Sequence, residues 1–341
     1  MRILVTGATG FIGQRYALHL VGREDIEVHA FGRNRQKAET LKLHGVHFHV
    51  GDLLDQPLVE QICEQVDVVV HCAGQSGVWG DYPTYYDANV RTTENLLSAA
   101  QKSGVSRFVF LGTPSIYFDY KDHINIAENY LPVRFIDNYA RTKYQAEMKA
   151  LSYHNDQFGV VSLRPRLVLG AGDHQLLPRL IALHQEGQLR IIGHGRNVVS
   201  VTSIANLLHA LDQCVFGSET ALGTAYNIAD AEPVRLWEVI DQLMEFMDMP
   251  RVKYKTPYWL AASMGSVVEQ SYRVLKKTQE PPIMRIKAAV LAKSFTLNIE
   301  NANRRLEYRP RHFLRDSLLE FATAWQEQMG RDSDAIAKKS L

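Results

Sequence analysis

The chain predicts a doubly wound α/β fold, a parallel sheet with helices on both faces, followed by a smaller lobe. Three observations carry that expectation. Ile3, Leu4 and Val5 form an apolar run too short for a helix and suited to a buried strand, and Gly7, Gly10 and Gly13 follow it directly and lead into a helix. Short β-rich runs then alternate with longer amphipathic segments through the first half. After Arg164-Pro165 the alternation loosens, with one further strand over 224–228 returning to the main sheet.

In order, strands are expected over 2–6, 27–31, 47–50, 66–72, 108–111 and 160–163. Helices are expected over 11–22, 35–44, 56–64, 82–103 and 139–155. The second half reads as a loop at 170–174, helices over 176–185, 203–215 and 233–247, and short strands over 189–192 and 198–201. The units are therefore a Rossmann-type dinucleotide-binding domain over 1–165, a mixed α/β substrate lobe over 166–330 and a polar tail over 331–341. The stretch 257–277 carries an apolar stripe (Trp259, Leu260, Met264, Val267, Val268, Leu275) ending at Arg273, Lys276 and Lys277. It suits a core-packing helix or a lid better than a membrane-surface helix.

Composition narrows the class. Among 341 residues, 38 Lys and Arg balance 37 Asp and Glu, so nothing favours electrostatic capture of nucleic acid. Cys63, Cys72 and Cys214 show neither metal spacing nor a disulfide framework. That fits a reducing, cytoplasmic setting. No apolar run approaches the ~18 residues of a transmembrane helix, and a chain opening on a core strand leaves no room for a signal peptide.

The glycine turn is where the chemistry begins. Gly7 permits the sharp turn, Gly10 allows close approach of a pyrophosphate, and Gly13 allows tight helix packing, with Phe11 and Ile12 opening the helix whose N–H groups face the phosphates. After the second strand, where a carboxylate would bind the ribose of NAD, the chain reads Gly32-Arg33. A guanidinium there favours a 2′-phosphate, so NADP(H) over NAD(H). Asp52, beside Leu53, either accepts from an adenine amino group or caps the next helix. His71-Cys72-Ala73-Gly74 ends the fourth strand with the small residues needed beside a dinucleotide, and His71 reads as structural.

Tyr139 and Lys143 stand four residues apart on one helix face. An ammonium near a phenol lowers its pKa, suiting the phenol to exchange a proton with a carbonyl or carbinol oxygen. Thr113 and Ser115, at the end of the fifth strand, both offer a hydroxyl to orient that oxygen; either could instead cap a turn.

Thr6-Gly7-Ala8-Thr9-Gly10-Phe11-Ile12-Gly13, Asp52-Leu53, His71-Cys72-Ala73-Gly74, Ala88-Asn89-Val90, Tyr139 with Lys143, and Arg164-Pro165-Arg166 together resemble the extended short-chain dehydrogenase/reductase superfamily. Gly112-Thr113-Pro114-Ser115, Val78-Trp79-Gly80 and the stretch from Leu163 to Pro178 are similar to its 3β-hydroxysteroid dehydrogenase-like branch, bacterial 2-alkyl-3-oxoalkanoate reductases included. The resemblance spans roughly residues 1–325. It implies Tyr139 as acid/base, Lys143 on the nicotinamide ribose, Thr113 before Ser115 as the catalytic hydroxyl, and Asn89 as architectural. It also implies Pro165 lining the nicotinamide and a homodimer formed through helices near 82–103 and 139–155. Two departures stand out: the charged segment Phe118-Asp119-Tyr120-Lys121-Asp122-His123, unlike that of sugar-nucleotide epimerases, and Ser203-Ile204-Ala205-Asn206 where many relatives carry an aspartate.

The function expected is an oxidoreductase interconverting hydroxyl and keto groups on a large apolar substrate, of 3β-hydroxysteroid or β-hydroxy/β-keto acid type. Trp79, Leu167, Leu176 and Tyr258 are candidates for lining its pocket. The alternatives are a sugar-nucleotide epimerase or dehydratase retaining NAD, and an NADP-binding sensor or scaffold without turnover.

Overall fold

The structure, a computed structural model, describes the backbone of residues 1–339 and side chains as far as Met329. Seven strands form the main sheet: β1 (Arg2–Thr6), β2 (Glu27–Gly32), β3 (His47–Val50), β4 (Val68–His71), β5 (Arg107–Leu111), β6 (Gly159–Pro165) and β7 (Ala225–Ile228). Their order is β7-β6-β5-β4-β1-β2-β3, and every pairing is parallel. The order reverses between β1 and β4, which opens a crevice at the carboxyl ends of those strands. The strand expected over 224–228 does return to this sheet, pairing Ala225 with Ser162 and Ile228 with Pro165.

Period-two alternation divides the sheet's side chains between two cores. Ile3, Val5, Val68, Val70, Val109, Val161 and Leu163 pack on one side against Tyr16, Leu20, Leu207 and Leu211. Leu4, Val69, Phe108, Phe110 and Val160 pack on the other against Val59, Ile62, Leu96 and Ala146.

Two parts of the helical reading change. The expected single helix over 82–103 is Tyr82–Tyr86, a π-helical stretch Asp87–Arg91, then Thr92–Lys102. The wider turn brings Asn89 inward, 2% exposed, where its amide nitrogen donates to Thr142 (3.0 Å) and to the Gln75 carbonyl (3.2 Å). The expected polar tail over 331–341 is helical to Lys339 as the end of Leu314–Lys339, which no proline interrupts; the last two residues lie outside the described residues.

A second, four-stranded sheet joins Val234–Arg235, Val198–Val199, Phe295–Leu297 and His123–Ile126. The charged segment after β5 is therefore a turn into this sheet, with His123 bonded to Asp119 at 2.7 Å. In the departing stretch 203–206, Ser203 and Asn206 bind the carboxylate of Asp230 just past the end of β7, at 2.6 Å each.

Helix Tyr258–Val274 corrects the expectation of core packing. Only Ala261 and Gly265 are buried, while Trp259, Met264, Val267, Val274 and Leu275 face outward at 46–71% exposure. A Cβ on Gly265 would stand 2.4 Å from the Arg285 backbone nitrogen, so the helix rests on the next one, Arg285–Ala292, at a contact too close for any side chain. No helix among the described residues is long and apolar enough to cross a membrane.

Candidate active site

The glycine turn is fixed by backbone contacts. Gly7 has φ +67°, and a Cβ there would stand 2.7 Å from the Ala73 nitrogen, so the turn lies directly on the end of β4. Gly10 donates to the Gly7 carbonyl at 2.9 Å. A Cβ on Gly13 would meet that carbonyl at 2.5 Å. Gly13 thus lets helix Phe11–Leu20 pack against the turn itself, more than against the strand. Gly10 occupies the cap position and brings no side chain, which leaves the first-turn N–H groups for a ligand. Phe11 packs beside the Gly172 loop, and Phe11 and Ile12 both lean on the core beneath.

This cradle continues along the strand ends. A Cβ on Gly74 would lie 2.9 Å from the Asn89 side-chain Oδ1 and 3.7 Å from the Lys143 Nζ. Glycine turn, Ala73-Gly74 and Lys143 therefore border one cleft, with half-buried Pro165 at the end of β6. These features fit an extended dinucleotide. Arg33 stands exposed just past β2. Lys37, which the sequence reading did not single out, sends its Nζ to the Thr9 carbonyl in the glycine turn at 2.8 Å; its place one helical turn beyond Arg33 was the available signal. Asp52 neither caps the next helix nor lies buried. Its carboxylate accepts from the Leu54 nitrogen (3.0 Å), the helix cap is Asp55, and Leu53 belongs to the core.

The Asn138–Ser152 helix carries Tyr139 and Lys143 and is capped by Asp137, which accepts from the Ala140 nitrogen at 2.7 Å. Thr113 stands beside the Tyr139 phenol and favours its ionised form. Ser115 stands behind it, accepting from the Thr113 hydroxyl at 3.1 Å and donating its backbone N–H to the same hydroxyl at 3.2 Å. Of the two candidate hydroxyls, Thr113 is the one brought to Tyr139.

Burial raises the Tyr139 pKa, Thr113 opposes that, and Asp137 adds to it. The Lys143 ammonium is turned to the Leu111 carbonyl at 2.7 Å and stands 4.3 Å from the Phe110 ring centroid. Burial pushes the Lys143 pKa down to about 8, against the pull of Glu147 and Cys72. Asp137 is pushed up to about 6 by burial, against two backbone N–H bonds. His71 is structural: its ring bridges Thr6 (2.7 Å) and Thr93 (3.0 Å), and burial drives its pKa down to about 3.

Beneath the site lies a buried network the sequence reading missed. Glu147, one turn beyond Lys143, binds Arg164 through Nε at 3.0 and 2.9 Å and also through Nη2. Ser162 donates to Glu147 at 2.7 Å, while Arg164 reaches Tyr117, whose hydroxyl donates to Asn227 at 2.9 Å. The i, i+4 spacing of Tyr139, Lys143 and Glu147 was the signal for this third member of the face.

A cavity of about 740 Å³ opens beside Tyr139, lined by Asp137, Asn138, Val78, Trp79, Tyr120, Met284, Ile286 and the inner face of helix Tyr258–Val274. Of the expected lining residues only Trp79 borders it. Leu167 and Leu176 pack into the second lobe's core, and Tyr258 packs on the apolar cluster around Phe295.

Residues 3–229 match the model of the NAD dependent epimerase/dehydratase family. The chain is 34% identical over 324 residues to a 2-alkyl-3-oxoalkanoate reductase of Stenotrophomonas maltophilia, covering 93% of this chain and 97% of that one. It is 28% identical to a bovine (Bos taurus) sterol-4-alpha-carboxylate 3-dehydrogenase, decarboxylating, over 91% of this chain and 88% of the other. Among solved structures, UDP-glucuronic acid 4-epimerase from Bacillus cereus in complex with NAD shares the fold at a TM-score of 0.76 and 22% identity, covering 96% and 99% of the two chains. Turn, sheet order and relatives agree: the chain is a short-chain dehydrogenase/reductase enzyme of the NAD-dependent epimerase/dehydratase family, in its extended, 3β-hydroxysteroid dehydrogenase-like branch.

Proposed function

We propose that the protein interconverts a hydroxyl and a keto group on a large apolar substrate, of β-hydroxy/β-keto acid or 3β-hydroxysteroid type, with NADP(H) preferred. The observation that carries this is Thr113 beside the Tyr139 phenol, next in the chain to Asp137 and Asn138, which line the 740 Å³ cavity. A bound nicotinamide supplies or accepts the hydride. Tyr139 moves the proton at the substrate oxygen, and Thr113 orients that oxygen. Lys143, between Gly74 and the helix, holds the ribose and steadies charge beside Tyr139. Arg33 and Lys37 take the 2′-phosphate. Residues 1–165 with β7 hold the cofactor, and the substrate pocket lies between residues 78–138 of that unit and 269–286 of the lobe.

The reductase and the sterol dehydrogenase support the oxidoreductase reading, and both names place a carboxylate on the carbon next to the one whose oxidation state changes. We also propose a homodimer through the surface of Tyr82–Lys102 and Asn138–Ser152, two segments tied side by side by Tyr82 to Gln145 (3.1 Å) and Lys149 to Glu94 (2.9 Å). Light scattering on the purified protein gives its mass directly.

Tyr139→Phe tests the central role. The variant is expected to bind NADPH as the parent does and to lose turnover by at least ~100-fold. Retained turnover removes Tyr139 from proton transfer.

A further inference from the structure

Arg166 follows Arg164 by two residues and stands just past the end of β6. Arg164 grips the Glu147 carboxylate with its Nε and Nη2 edge. Arg166 presents the same edge with nothing on it: Nε and Nη2 are both buried and have no hydrogen-bond partner among the described residues. The residue is 8% exposed.

Among the described residues no carboxylate is paired with it. The guanidinium lies 4.5 Å from the centroid of Phe295, which serves one face of its plane and leaves the donors in the plane unmet. The Thr202 hydroxyl donates to the carbonyls of Arg166 (2.8 Å) and Ile228 (3.0 Å), and the Ser200 hydroxyl accepts from Leu297 at 2.9 Å. Asp230 is engaged by Ser203 and Asn206. Burial alone displaces the Arg166 pKa, downward to about 10, and no carboxylate opposes it. A buried guanidinium without acceptors is costly to keep. Leu167, next in the chain, adopts φ 44°, a left-handed conformation rare outside glycine, which turns the chain away directly after Arg166. Phe295 in turn shares an apolar cluster with Met284 and Ile286, both of which line the cavity beside Tyr139.

We infer that Arg166 is the specificity residue that takes a substrate carboxylate side-on through Nε and Nη2, which makes the substrate a β-hydroxy or β-keto acid, not a neutral sterol. A planar two-oxygen anion fits that edge as the Glu147 carboxylate fits Arg164. The inference rests on the oxidoreductase reading above and deepens it.

The test compares a 2-alkyl-3-hydroxy fatty acid with its methyl ester, each assayed with NADP⁺ and NAD⁺. The parent enzyme is expected to prefer the acid by about 100-fold in kcat/KM, the value of a charged hydrogen-bonded pair in a buried site. Arg166→Met is expected to bring that ratio to within about threefold of one, and Arg166→Lys, which keeps the charge but not the fork, to recover only part of it. An acid-to-ester ratio that is equal in the parent and in folded Arg166→Met overturns the assignment.

If Arg166→Met does not fold, calorimetry on the parent decides: a saturated long-chain fatty acid is expected to bind about 100-fold tighter than its methyl ester, and equal binding overturns the inference. Competition of that binding by a UDP-sugar also overturns it, assigning the edge to a diphosphate. Failure of the oxidoreductase reading looks different: neither acid, ester nor any ketone panel turns over, while the fatty-acid preference persists.

Discussion

Replacing Lys143 with methionine should make the protein more stable and inactive. Lys143 is 7% exposed, and burial takes its pKa from 10.5 down to about 8. At about 1.4 kcal/mol per pH unit, holding that charge in the folded chain costs about 3 kcal/mol at neutral pH. The sign follows from the order of deprotonation. Below pH 8 the lysine is charged in both folded and unfolded chains and the full cost applies. Between pH 8 and 10.5 the folded chain releases its proton first, so stability rises with pH, and above 10.5 the cost is gone. Lys143→Met removes the charge together with the hydrogen bond to Leu111 and the contact with Phe110, which returns about 1 kcal/mol. The net expectation is about 2 kcal/mol of stabilisation at pH 7, or about 3 °C in Tm, and loss of the rise between pH 8 and 10.5. Thermal unfolding of both proteins at pH 7, 9 and 10.5, beside a turnover assay, reads all three quantities. A Lys143→Met protein that melts below the parent at pH 7 and follows the same pH dependence refutes the reasoning.

Three further outcomes follow from the same contacts. Gly7→Ala forces a side chain into φ +67° and to 2.7 Å from the Ala73 nitrogen, so it should cost at least ~2 kcal/mol in urea unfolding and abolish NADPH binding; parental stability contradicts that. Glu147→Gln leaves the Arg164 guanidinium buried without its anion and should cost about 3–5 kcal/mol in the same assay. Arg33→Ser should lower the NADP⁺ to NAD⁺ ratio of kcat/KM by about 10–100-fold, and an unchanged ratio shifts the 2′-phosphate contact to Lys37.

The main sheet was legible because each strand announces itself locally: Ile3-Leu4-Val5 and Val68-Val69-Val70 are apolar runs bounded by turns. The second sheet was not. His123–Ile126 is charged and polar at its start, Phe295–Leu297 is three residues long, and they pair across more than 160 positions, a relation no local pattern carries. The site divides the same way. Tyr139 and Lys143 could be placed on one helix from spacing alone. The direction of the Lys143 ammonium could not, because the acceptor that turns it, the Leu111 carbonyl, belongs to a different strand. The open edge of Arg166 was equally hidden, since a sequence does not show which hydrogen bonds are already made.

The carboxylate of Asp230 has a bearing on how this chain compares with its relatives. Ser203-Ile204-Ala205-Asn206 holds no acid, yet a carboxylate is present in space at the start of helix Ile204–Phe216, delivered from the end of β7. Through Ser203 and Asn206 that carboxylate ties sheet to lobe. Grafting the relatives' aspartate onto Ser203 would set two carboxylates within hydrogen-bonding distance, and one of them would have to carry a proton to stay. An exchange of substrate lobes between this chain and a relative therefore has to move both positions together.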